Sequence, residues 1–145
     1  MQEHRLIERM ISQMNKELLR MKEMNEVNSA FIDVVVDFIR VYADRCHHGK
    51  EEGVLFRELS SKQMSSEHVR MVRELIDEHV YARRTTSNLA KAKERYVKGD
   101  GESRKEVGSC LMTWWSFTRS TLRKKTRDSF THQWIILLRK NKRRC

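Results

Sequence analysis

The chain has 145 residues and a formal net charge of +10, with no proline, five glycines and three cysteines. That length suits one domain with a sizeable core, and so few backbone breakers point to long helices. No run approaches the roughly 18 apolar residues of a membrane span, no CxxC pair is present and the N-terminus shows no signal-peptide pattern, so a cytoplasmic chain that stays out of the membrane is expected.

Residues 3–24 read as a first helix. Ile7, Met10, Ile11, Met14, Leu18 and Met21 recur at spacings of three and four, and His4 lies on the same stripe. A break follows at 25–28, with Asn25 or Asn28 as a cap. Residues 29–48 read as a second helix with a broad apolar face of Phe31, Val34, Val35, Phe38, Ile39, Tyr42 and Cys46, continuing toward Leu59. Serines 60, 61, 65 and 66 mark a loop.

Residues 67–97 read as a long third helix faced by Val69, Val72, Leu75, Ile76, Val80, Leu89 and Ala90, with His79 on that face. Gly99-Asp100-Gly101 is a turn. Residues 104–138 give a weaker helical pattern through Leu111, Trp115, Thr118 and Leu122. Four helices with short connections predict an all-α, up-down-up-down four-helix bundle.

Charge divides the chain. Residues 1–103 carry 18 basic and 18 acidic side chains, whereas 104–145 carry 12 basic and two acidic, together with all three tryptophans. The expected organisation is helices one to three over 1–106 and an atypical basic, tryptophan-containing segment over 107–145 that forms the fourth helix.

The densest chemical feature is His47-His48-Gly49-Lys50-Glu51-Glu52. On a helix, residues four apart share a face, so His47 pairs with Glu51 and His48 with Glu52. Imidazole and carboxylate together suit non-haem iron, manganese or zinc. Leu55 and the stripe through Val35 and Ile39 favour His47 and Glu51 as the inward pair; Phe56 supports His48 and Glu52 equally well. His4 and His79 each follow a glutamate on an apolar face, whereas His68 and His132 lack such support. A lone histidine on an apolar face is more often a core or boundary residue than a ligand.

These segments resemble the hemerythrin-like HHE cation-binding family. Glu3-His4 is similar to its first-helix element, His47 to Phe56 to its HHxxEExLF motif, and Glu78-His79-Val80-Tyr81-Ala82-Arg83 to its third-helix EHxxxR. The likeness covers residues 1 to about 106. It implies a four-helix bundle with a non-haem diiron centre, in which His4, His47, Glu51 and His79 are ligands and Glu51 bridges the metals. His48 and Glu52 are the alternative pair. Leu75 stands where some relatives carry a second third-helix histidine.

The family's fourth-helix HxxxE is absent. Codons compatible with residues 120–134 permit a reading two bases out of phase that contains His-Ile-Glu-Lys-Glu and a following Phe-Phe pair, so a change of frame near residues 106–110 is one expected origin of the tail. With that motif missing, the expectation is one weakly held Fe or Zn, or none, in place of a diiron pair.

The function expected from the resemblance is non-haem iron binding, serving dioxygen, peroxide or nitric oxide binding, sensing or iron handling, with a small gaseous or peroxide molecule as partner. The competing expectations are a metal-free structural bundle that self-associates as a homo-oligomer, and a nucleic-acid binder that uses the basic tail. No Gly-rich phosphate loop, nucleophile elbow or HExxH is present.

Overall fold

The computed structural model describes residues 2–50, 52–53 and 66–127, with the side chains of 2–4, 47, 68, 71 and 121–127 left aside. Among the described residues the fold is helical throughout. Helix α1 spans Gln2–Met24, α2 spans Ser29–Phe38 and runs directly into a π-helical segment over Ile39–His48, α3 spans Ser66–Val97, and α4 spans Ser103–Arg127. Helix α1 packs on α4, α4 on α3, and α3 on both α2 and the π segment. The chain is the four-helix, all-helical bundle that its apolar stripes predict.

The core is built from those stripes. Ile7, Ile11, Met14, Leu18 and Met21 of α1 are buried, as are Leu89 and Ala92 of α3. Val34 and Val80 lie on the solvent side, although the sequence pattern places them inward. Ile32 and Val36 take those core positions on α2, because its inward face centres one residue away from the expected line.

Both asparagines in the first break are used. Asn25 adopts the left-handed conformation (φ 56°) that ends α1, and Asn28 caps α2 by accepting the Phe31 N–H at 3.0 Å. Buried Glu17 closes the same turn. Its carboxylate accepts two bonds from Arg20 at 2.8 Å and one from the Asn28 N–H at 3.0 Å. At the other end, Gly99 (φ 102°) reverses the chain after α3, and Glu102 N–H bonds the Asp100 side chain before α4 begins.

Helix α4 is an integral wall. Val107, Cys110, Leu111, Trp114 and Thr118 are buried at helical spacing, and Thr118 Oγ1 donates to the Trp114 carbonyl at 2.9 Å. The expected boundary between 106 and 107 therefore falls inside α4, and burial runs in phase past 106–110 without a break. The tail beyond 127, with His132 and Trp134, lies outside the described residues.

Leu111, fully buried, measures how much the basic C-terminal part contributes to the fold. Leu111→Ala is expected to cost about 2–5 kcal/mol in urea unfolding, whereas exposed Met112→Ala stays within about 0.5 kcal/mol. Burial pushes the Glu17 carboxyl up, but the bonds from Arg20 and the Asn28 N–H outweigh it and hold the group below its usual value. A depressed carboxylate stabilises fully above its unfolded value, near 4.3, and loses that contribution as pH falls through the folded value. The stability gap between wild type and Glu17→Gln is therefore expected to close on acidification below about pH 4.3, as read by urea midpoints across pH.

Candidate metal centre

The π segment brings His48 to face the bundle. Along this helix the buried residues run Val35, Ile39, Ala43 and then His48: steps of four, four and five. The last step is longer because the Gly49 N–H bonds back to the Asp44 carbonyl, five residues earlier, as in a π turn. Each such turn holds more residues than an α turn, so the inward phase after it moves on by one position. A continuous α-helix would carry that phase from 43 to 47; this helix carries it to 48.

His48 meets His79 of α3. Both are buried, at 8% and 2% exposure, and their rings stack with centroids 3.9 Å apart and planes at 15°. His79 Nδ1 lies 2.9 Å from Glu52 Oε1. The same oxygen accepts Arg83 Nη2 at 2.7 Å, and Arg83 Nε donates to Asp44 Oδ1 at 2.7 Å. Asp44 Oδ1 in turn lies 3.4 Å from His48 Nδ1, an ion-pair separation. One guanidinium thus joins two carboxylates from the second helix, each beside one of the stacked imidazoles.

The electrostatics follow from this arrangement. Burial pushes the Glu52 carboxyl up, but bonds from Arg83 and His79 outweigh it and hold it below the usual carboxylate range. Burial pulls the Arg83 guanidinium down, but its bonds to Glu52 and Asp44 more than reverse that. Two carboxylates and the Arg83 guanidinium surround the imidazoles, and a second guanidinium, that of Arg40, lines the adjoining cleft.

Of the residues singled out in the sequence, the structure brings together His79, His48 and Glu52. The side chains of His4, on α1, and of His47, in the π segment, lie outside the described residues, as does Glu51 altogether. The sequence argument gave no role to Asp44 or Arg83. The signal was available in their spacing: Asp44 precedes His48 by four and Arg83 follows His79 by four, so each shares its histidine's face.

A cleft of about 230 Å³ opens beside this cluster, lined by Asp44, His48, Arg83, Thr86, Ser87 and Trp114 among others. Thr86 Oγ1 is satisfied by the Ala82 carbonyl at 2.8 Å. The Trp114 Nε1–H is buried and has no hydrogen-bond partner among the described residues.

The sequence profile of the hemerythrin HHE cation-binding domain matches residues 1–124. The chain belongs to that family. The match runs through the three histidine-bearing segments and on into α4, further than the residues that carried the resemblance by eye. No curated protein and no solved structure matches the chain. Cation binding, with iron as the family's metal, is thus the family-level function. No helix among the described residues is long and apolar enough to cross a membrane.

Whether this hemerythrin-like chain suits iron is tested by its donor geometry. Among the described residues no group of three or more histidine, cysteine or acidic side chains is placed to hold one ion. The stacked rings account for part of this. An imidazole lone pair lies in the ring plane and holds a metal at about 2.0–2.1 Å, so two nearly parallel rings 3.9 Å apart cannot share one ion. The carboxylate on His79 Nδ1 is the outer partner that a metal-ligating histidine ordinarily has. In chemistry the imidazoles and carboxylates are donors that non-haem iron takes, while among the described residues they are not gathered around one ion.

Trp114 offers a direct probe of this wall. Trp114→Phe removes a buried donor that lacks a partner and is expected to change unfolding stability by no more than about 1 kcal/mol. Trp114→Ala, which empties the position, is expected to cost about 3–5 kcal/mol in the same urea titration.

Proposed function

We propose that this chain binds non-haem iron between the π segment and α3, through His48 and His79. The observation that carries the reading is the buried, stacked imidazole pair with Glu52 hydrogen-bonded to His79. Such a pair suits an ion on each ring, and further donors would come from His4, His47 and Glu51. The full chain would then hold one or two ions, fewer or more weakly than relatives that keep the fourth-helix HxxxE.

Iron in such a setting supplies open coordination positions for a small ligand, of the dioxygen, peroxide or nitric oxide class. The chain's own residues do the rest. Glu52 accepts from His79 Nδ1 and so directs the other ring nitrogen toward the ion. Asp44 and Glu52 supply negative charge that offsets part of the ion's own. The cleft bounded by His48, Arg83, Thr86, Ser87 and Trp114 gives a small molecule a way to the histidines, while the apolar residues of α1, α2 and α4 keep bulk water away. Binding or sensing such a ligand, or holding iron itself, is the function this arrangement supports. The cytoplasm, where a reduced metal pool is available, is the compartment we propose for it.

Purification from iron-supplemented medium followed by elemental analysis tests the reading. Wild type is expected to retain iron in clear excess over about 0.1 per chain, and His79→Ala and His48→Ala are each expected to fall below that level. Retention of iron by His47→Ala would assign the second-helix ligand to His48; its loss would return it to His47. Wild type at or below the alanine variants sinks the proposal and leaves a metal-free bundle.

A further inference from the structure

Arg83 touches both carboxylates of the cluster, and it does so with different nitrogens. Nε is spent on Asp44 and Nη2 on Glu52, each at 2.7 Å. A guanidinium is planar and rigid, so fixing it at two points fixes its orientation as well as its position. The Asp44 bond is the anchor: it ties Arg83 to the π segment independently of Glu52. The second bond then places Glu52 Oε1 at a point that also lies 2.9 Å from His79 Nδ1.

From this geometry we infer that Arg83 is a positioning residue, which holds Glu52 against His79 and so fixes His79 as the tautomer protonated on Nδ1 with its lone pair on Nε2. The inference deepens the iron reading and rests on it for its purpose, though not for its measurement. A neutral imidazole carries one proton, and the hydrogen bond made by one nitrogen decides which nitrogen is free. A carboxylate beside Nδ1 can only accept, so the proton resides there. Glu52 reaches that point from a different helix than His79, and its side chain has several rotatable bonds, so a fixed partner is needed to keep it in place. Arg83 lies four residues after His79, on the same face of α3, and therefore moves with the ring it orients.

The test uses the full chain, stripped of metal with a chelator and labelled with ¹⁵N. Long-range ¹H–¹⁵N spectra report which nitrogen of each imidazole bears the proton, and His79→Ala assigns the signals. Wild-type His79 is expected to show a protonated Nδ1 and an unprotonated Nε2. Arg83→Gln is expected to give a mixed or reversed pattern with helicity unchanged by circular dichroism, and Arg83→Lys to restore the wild-type pattern in part. Iron affinity in Arg83→Gln is expected to fall about ten- to a hundredfold, the usual cost of losing an outer partner.

Asp44→Asn, which loosens only the anchor, is expected to shift the His79 signals in the same direction by less, and it serves if Arg83→Gln fails to fold. A folded Arg83→Gln, or failing that Asp44→Asn, whose His79 signals match wild type overturns the inference, as does a wild-type His79 protonated on Nε2. The two readings separate cleanly. The expected tautomer in a wild type that binds no iron sinks the metal proposal and leaves the role of Arg83 standing, whereas iron binding by a wild type with the other tautomer does the reverse.

Discussion

A buried imidazole needs a polar partner, and at 2% exposure His79 has Glu52. That single hydrogen bond joins Glu52, just beyond the π segment, to the middle of the third helix across 27 residues of sequence. Most of the local arrangement depends on it. It brings Glu52 within reach of Arg83 and gives the helical residues after the π segment a fixed neighbour. Elsewhere the helices are joined by apolar packing and by ion pairs such as the exposed Arg95–Glu106, which contributes little, and Lys93–Asp33, whose lysine is half-buried.

The bundle was legible in the sequence because its first and third helices keep a simple period. Ile7 to Met21 repeats every three or four residues for four turns, and each of those residues except partly buried Met10 is in the core. The punctuation was legible for the same reason. Asn25, Asn28 and Gly99 sit where the apolar stripes stop, and each adopts the conformation for which its side chain, or lack of one, is suited. Helix α4 was harder to read. Leu111 and Thr118 of its expected pattern are buried, but Cys110 and Trp114, buried with them, do not stand out as an apolar stripe against a background rich in Arg and Lys.

The candidate site was legible as chemistry but not as orientation. Histidine and glutamate four apart announce a shared face whichever pair is chosen, so 47 with 51 and 48 with 52 looked alike. Periodicity was the tie-breaker in the sequence, and it assumed 3.6 residues per turn throughout. The wide turn ending at Gly49 breaks that assumption, and nothing in the composition of Ile39–His48 signals it in advance. Asp44 and Arg83 went unassigned because their importance lies in a contact between helices, at a sequence separation of 39 residues.

The step of five from Ala43 to His48 has a bearing on how such a chain can change over time. Removing Arg45 or His47 would let the wide turn close to an ordinary one without disturbing the helix before it, and would keep Asp44 for Arg83. The neighbour His79 would then still find an imidazole opposite, with a carboxylate four places further on. The motif therefore tolerates a one-codon loss at either of those positions, because the same histidine and glutamate keep facing inward once the turn has narrowed.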